Sequence, residues 1–335
     1  MTKVHKAMSR LSKLLSKHII EPELCEIIRE KTFIDFSNRH KQLSAFFFCL
    51  IGAALIASYG IANQSTAVVI GAMLIAPLMT PILGTSFAAT HGDLHGAIKT
   101  FSISTLGTLS VIATSFIIAK TIPTGIPIIG NPEIESRISP SLVDLYIAIG
   151  AGLVGAYVLA RPTMSDAFPG VAVAVALVPP LCVTGISLAS GYWAYAYQSF
   201  LLFTVNFFAV QISSSIIFFF LGYGSRRNEN QTRIHRVWFF VASITLALLI
   251  IPLVDATERT VHATITESAM TQIASQWLEN SSYHLVSVNT QDNQITLQIA
   301  GFGKLPDINE LKALTLKNNL DPNDVRLKVE EEYLL

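Results

Sequence analysis

The residues of this chain best placed to do chemistry are prolines and glycines set inside apolar segments. VVIGAMLIAPLMTPILGTSFA, from Val68 to Ala88, is apolar enough to span a membrane yet carries Gly71, Pro77, Pro81 and Gly84. A proline removes one backbone donor and clashes with the carbonyl four residues back, so this pair predicts about one turn of unwound helix near mid-segment. Freed N–H and C=O groups survive at bilayer depth only where protein buries them or water reaches them. Such breaks are where membrane proteins hold solutes and ions. VAVAVALVPPLCVTGISLA, from Val171 to Ala189, repeats the theme with Pro179 and Pro180. Thr80, Thr85, Ser86, Thr184 and Ser187 would supply hydroxyls beside the two breaks. Each break makes a helix N-terminus that favours anions and a C-terminus that favours cations. Kinks that serve packing alone are the plain alternative.

Other polar residues add weaker signals. Asn206 and Gln211 lie in an apolar segment and need partners on another helix, as part of a pathway or as structural glue. Asp144 near Arg137 and Asp166 near Arg161 read as charge pairs at the membrane surfaces, and Asp93 as a further interface charge, with a gating role as the sharper alternative. In HGDLH, alternation puts His91, Asp93 and His95 on one side of an extended loop. The set lacks a fourth ligand, so no metal is assigned. Cys25, Cys49 and Cys182 are scattered and predict no disulfide. G-x-S-x-G, H-E-x-x-H and G-x-x-x-x-G-K are all missing, so neither an enzyme nor an ATP-driven pump is expected, and no cofactor. The two proline-broken segments carry no charged residue, which favours a neutral or anionic solute, or an ion held by backbone groups, over a carboxylate proton relay.

The elements that must position these residues are membrane helices. The chain has 335 residues, 51% of them hydrophobic and 14% charged, the balance of a protein with many spans. Seven apolar segments of bilayer length fall at about 43–61, 65–89, 97–119, 142–160, 167–189, 199–222 and 236–254. Before them, residues 1 to about 42 are basic and amphipathic, with Met8, Leu11, Leu14, Leu15 and Ile19 at helical spacing. Either an interfacial helix or a solvated helical hairpin fits that stretch. Four prolines between the third and fourth segments mark an ordered loop or short re-entrant piece. Lys and Arg concentrate beside one set of connections, which puts the N-terminus in the cytoplasm and, after seven spans, the C-terminus outside. From about residue 260 to 335, helical and alternating patterns predict an αββαβ domain, with Ile295, Leu297, Ile299, Val325, Leu327 and Val329 on one buried face.

The two proline segments align at an offset of about 103 residues within units 43–119 and 142–222, each of three spans. An odd number of crossings reverses direction, so the fold expected is all-α and polytopic, with a 3+3 inverted repeat, an extra span and a small α+β C-terminal domain. Pro77 and Pro180 would then face each other, with Gly52, Gly71, Gly152 and Ala174 as the close-contact surface. The ridge Ala148, Gly152, Ala156 and Ala160 would pack either repeat on repeat or subunit on subunit. From Leu43 to Leu221 the sequence resembles the bacterial membrane proteins catalogued as domain of unknown function 389. The resemblance rests on VVIGAMLIAPLMTPILG, Gly92-Asp93, EIESRISPSLVDL, PGVAVAVALVPPL and Asn206. It implies little about activity beyond a suspected transport role. The sequence therefore points to a secondary transporter or channel in the bacterial cytoplasmic membrane, forming a homo-oligomer and touching lipid and a small solute but no nucleic acid. A membrane-anchored scaffold or sensor, whose outer domain binds a partner, is the alternative.

Overall fold

A computed structural model describes residues 22–123, 125–161, 177–223, 229–279, 281–291, 294–303, 305–318 and 320–331. The amphipathic stretch before residue 22, Asp166 and the first half of the second proline segment lie outside the described residues. The chain divides into two compact units, Met1–Val254 and Asp255–Leu335.

Within the first unit α1 (Pro22–Lys31) precedes α2 (Arg39–Ala62), whose N-cap Asn38 accepts the Lys41 N–H. The first proline segment is α3 (Thr66–Ile75) and α4 (Met79–His91), bent by 46° across Ala76–Leu78. Asp93 caps α5 (Leu94–Thr121) and Asn131 caps α6 (Pro132–Ile138). A capping box of Ser141 and Asp144 starts α7 (Leu142–Leu159). Then come α8 (Val178–Ala189), α9 (Trp193–Phe220) and α10 (Glu229–Leu278).

By length and apolarity α2, α5, α7 and α9 can each cross a membrane, and the bent pair α3–α4 makes a fifth. The fifth expected span is described only in its second half, as α8, and the seventh corresponds to the apolar stretch Arg236–Leu248 of α10. The sequence reading ended the seventh segment near residue 254 and began the C-terminal domain near 260, whereas α10 runs unbroken from Glu229 to Leu278. Between Asp255 and Leu278 the chain has no glycine or proline to stop it.

The two α-helical hairpins of this unit correspond at an offset different from that read in the sequence. Gly92 and Gly191, 99 residues apart, are both left-handed, with φ of 80° and 82°. Each is followed, after one intervening residue, by a helix of 28 residues, α5 or α9. At that offset Pro81 meets Pro180, Thr85 meets Thr184 and Thr100 meets Ser199. The offset of 103 followed apolar pattern, whereas helix starts and the turn glycine fix the true register.

Direction follows from contacts. In the α8–α9 hairpin the Tyr192 N–H reaches Ser187 O at 2.9 Å and the Ser199 hydroxyl reaches Pro180 O at 2.6 Å, so the two helices are antiparallel. In the α4–α5 hairpin the same sense comes from Asp93 N–H on Ala88 O and the Thr85–Thr100 hydroxyl contact. Helices α4 and α9 instead run parallel, since Phe87 meets Phe218 edge-on at 5.3 Å and His91 Nδ1 lies 3.3 Å from Tyr223 O just past α9. Helix α8 therefore runs opposite to α4, its counterpart. Helix α4 packs on α5 and α9, and α8 on α9 and α5, so the two hairpins grip each other reciprocally.

Glycines allow the closest approaches. A Cβ on Gly185 would stand 2.4 Å from Ile112 O of α5, and one on Gly84 would stand 2.5 Å from Thr32 O after α1. The alanine–glycine ridge of α7 is buried within the chain, where Gly152 meets Val210 and Ser213 of α9. Gly52 and Gly71, expected to form a contact surface, meet nothing within 4 Å.

The second unit has its own core. Strand β1 (Tyr283–Gln291) pairs antiparallel with β2 (Gln294–Gly301), and β2 pairs parallel with β3 (Val325–Glu331). Ile295, Leu297 and Ile299 are buried against Met270, Ile273 and Trp277 at the end of α10 and Leu311 of α11 (Ile308–Lys317). Val325 and Leu327 are half-buried and Val329 is exposed, because β3 is an edge strand.

Candidate functional site

Of the four singled-out prolines only Pro77 stands in a break. Pro81, Pro179 and Pro180 occupy the first turns of α4 and α8, where a missing N–H has no intrahelical partner to lose. At the break the Ala76 N–H still reaches Ala72 O, and the Thr80 N–H turns back to Pro77 O at 3.2 Å. No side chain caps α4, and no hydrogen bond reaches the N–H of Leu78 or Met79 among the described residues. Both residues are only 1% exposed, so these donors sit in the protein interior. The other side of the break faces out, with Leu74 54% and Ile75 46% exposed at the end of α3.

Gln211 of α9 is wholly buried, and neither its amide oxygen nor its amide nitrogen has a hydrogen-bond partner. Gln211, Ser215 and Phe218 follow one stripe of α9, at steps of four and three. Phe218 meets Phe87 of the parallel helix α4. Phe207, one turn before Gln211, meets Phe101 of α5 edge-on at 5.9 Å. Ser215 on the same stripe and Thr90 on α4 also carry buried hydroxyl oxygens without partners. An amide removed from water without partners costs on the order of 2–7 kcal/mol, so Gln211 is an expensive residue to bury here.

The second proline head lies elsewhere. Pro180 O accepts from Ser199 and from Thr184 at 2.6 and 2.9 Å, so hydroxyls already occupy it. Along α9, Ser199 and Gln211 are twelve residues, about 18 Å, apart. Helices α4 and α8 share α5 and α9 as neighbours and make no substantial contact with each other. Helices α4 and α8, at whose heads the two proline segments stand, are therefore not packed against each other.

The remaining candidates separate in the same way. Asn206 shares a stripe with Val210 and Ser213 against α7, away from Gln211, and its amide oxygen is also without a partner. The Thr85 hydroxyl reaches Pro81 O and Thr100, and Ser86 reaches Ile82 O. Gly84 is a packing glycine against Thr32 and Gly71 an open helix position. Asp93 caps α5 through the Gly96 N–H and pairs with Arg29 at 3.0 Å, which removes it from any metal set. His91 stacks on Phe87, and no group of metal-ligand residues occurs among the described residues. Arg161 lies over the Tyr157 ring; its expected partner Asp166 is outside the described residues.

Arg137 does not pair with Asp144, which is spent on the Ser141 capping box. It pairs at 3.0 Å with Glu133 one helical turn earlier, and Thr66 at the head of α3 donates to the same carboxylate. Burial pulls the Arg137 guanidinium below its usual value and Glu133 opposes that shift. The sequence reading overlooked Glu133, although its i,i+4 spacing to Arg137 was visible. Arg29 was missed too. It bridges Asp93 and Asp35 and fixes α1 against the turn between α4 and α5. Its partners are distant in sequence or sit in a loop, so no periodic pattern announces them.

Comparison with known proteins places this arrangement. A family model described as a domain of unknown function (DUF389) matches residues 73–212, which run from the end of α3 past Gln211. An uncharacterised protein of Methanocaldococcus jannaschii is 30% identical over 239 residues, covering 70% of this chain and 72% of the relative. No solved structure matches.

Proposed function

The chain belongs to the family of domain of unknown function 389, and we propose that it is an integral membrane protein that passes a small neutral or anionic solute, or an ion, across the membrane. The observation that carries this reading is the buried, unpaired Gln211 amide inside an apolar helix of a unit that also holds the broken pair α3–α4. A buried amide in apolar surroundings is costly unless something pairs with it, and a passing solute would do so. Opposed directions of α4 and α8, with reciprocal packing on α5 and α9, support an inverted repeat of three spans per unit. Charge supports an orientation with the N-terminus in the cytoplasm: Arg29, Asp35, Asp93 and Lys99 gather at the Gly92 turn, while the equivalent Gly191 turn carries Tyr192, Trp193, Tyr195 and Tyr197. Seven spans then put the second unit outside. Leu74 and Ile75 stand exposed beside the break at the end of α3, which supports a homo-oligomer that covers it.

The rival reading, a membrane-anchored scaffold or sensor, draws on the separate core of the second unit. Solute flux into proteoliposomes, with and without residues 260–335, separates the two. Flux through both forms supports the pathway; no flux from the full chain, with loss of phenotype on truncation, favours the scaffold.

A further inference from the structure

We propose that the short helix α6 is a lid, latched over a buried thiol and two hydroxyls about one turn inside the helical unit, and that α1 is its counterpart at the opposite end. This inference rests on the pathway reading and says how that pathway is closed. Helix α2 sets the separation, since its 24 residues span about 36 Å. The segment after α1 packs near the start of α2, where Phe33 meets Phe46 edge-on at 5.3 Å. Asn131, at the head of α6, donates to Ile61 O at the end of α2, at 2.9 Å. The two short helices also hold matching places in the chain. Each leads into an unbroken helix of membrane length, α2 or α7, and α1 packs on α4 as α6 packs on α8.

What lies under α6 is polar. Cys182 of α8 is wholly buried, its sulfur 3.8 Å from Ala54 O and beside Ser58, whose hydroxyl meets that of Ser115 at 2.9 Å. Ser58 stands three residues, about one turn, before Ile61, so this group lies just inside the end that α6 covers. Cys182 is close enough to act electrostatically on Arg137 of α6. The connection from α5 to α6 contains two left-handed glycines, Gly125 and Gly130, with φ of 70° and 77°, and such loop residues absorb the backbone change of a hinge. The latch itself is polar and incompletely satisfied. Glu133 accepts the Thr66 hydroxyl from the head of α3 and pairs with Arg137, yet the buried Arg137 Nε has no hydrogen-bond partner. A buried ion pair adds little net stability over an apolar replacement, which suits a contact that breaks and remakes. At the other end Arg29 pairs with Asp93, the cap of α5, at 3.0 Å.

The test uses the full-length protein with Cys25→Ser and Cys49→Ser, which leaves Cys182 as its one thiol, in right-side-out and everted membrane vesicles. A charged, membrane-impermeant maleimide is added, and its rate of attachment to Cys182 is read by mass. The parent is expected to react slowly, and from the α6 side only. Thr66→Val removes the hydroxyl that Glu133 accepts and should raise that rate at least about tenfold, the effect of losing one hydrogen bond to a charged group, whereas Thr66→Ser should keep the parent rate. Arg29→Gln, which frees the opposite end, should leave the rate unchanged or lower it. No rise in Thr66→Val would show a fixed cover, and an equal rise in Arg29→Gln would show general loosening. Either result overturns the proposal, as does equal reaction from both sides. Flux in proteoliposomes then separates the two claims. Solute flux with a Cys182 rate that ignores Thr66 keeps the pathway and rejects the lid. A Thr66-dependent rate from the α6 side with no flux of any solute keeps the lid and rejects the pathway.

Discussion

At the scale of single residues, the ion pairs on either side of the helical unit differ in how much they stabilise. Glu133 and Arg137 are both largely buried, so removing one partner strands the other. Glu133→Ala is expected to destabilise by about 3 kcal/mol, whereas replacing both residues with methionine should recover most of that loss. Unfolding of the three variants in detergent checks it. Asp35 is more than half exposed, and its contribution is correspondingly small. A hydrogen bond and attraction from Arg29 hold its carboxyl below the usual carboxylate value. A depressed folded value means the contribution is complete above the ordinary carboxylate pKa of about 4 and disappears as pH falls through the folded value. The melting-temperature gap between the parent and Asp35→Asn should accordingly narrow between pH 6 and pH 3. An unchanged gap would show that Arg29 holds α1 through Asp93 alone.

At the scale of elements, proline and glycine positions that look alike in sequence carry unlike costs. Pro77→Ala lets α3 continue toward α4 and is expected to hold or raise the melting temperature while solute passage falls. Pro81→Ala should leave both unchanged, because a first-turn proline interrupts nothing. Glycines divide similarly. Gly185→Ala drives a methyl against the Ile112 carbonyl, backbone that cannot rotate away, and should cost about 1–3 kcal/mol. Gly71→Ala meets open space inside a helix and should be neutral or stabilising by up to about 1 kcal/mol. Parallel melts of the four variants rank them, and equal losses at Gly185 and Gly71 would contradict the packing of α8 on α5.

At the scale of the whole molecule, the reciprocal grip of two oppositely directed hairpins predicts an odd number of crossings between them. An enzyme reporter active only outside the membrane is therefore expected to work when fused after Leu335. One active only inside should work at Arg227. Finding both positions on one side would mean an even number of spans and would move the second unit to the cytoplasm. Because the two units of the chain have separate cores, residues 260–335 expressed alone should show a cooperative unfolding transition.

Composition and period alone determine that this chain is helical and apolar for most of its length, and that a small α+β unit ends it. Both readings rest on local chemistry: apolar runs of bilayer length, alternation in Ile295, Leu297 and Ile299, and turn-forming residues between them. The two proline segments are equally plain, since their break in pattern is local. What proline does there is not local. Whether it lies in a helix interior or a first turn depends on where the helix starts, and capping and packing settle that for Pro77 one way and for Pro180 the other. The offset of 99 belongs to the turn glycines and helix starts, which apolar similarity cannot register. The pairing of Arg137 with Glu133, the loneliness of the Gln211 amide and the burial of Leu78 and Met79 at the head of α4 are decided only by tertiary structure, because each depends on which neighbour removes water from a group that sequence leaves free to choose.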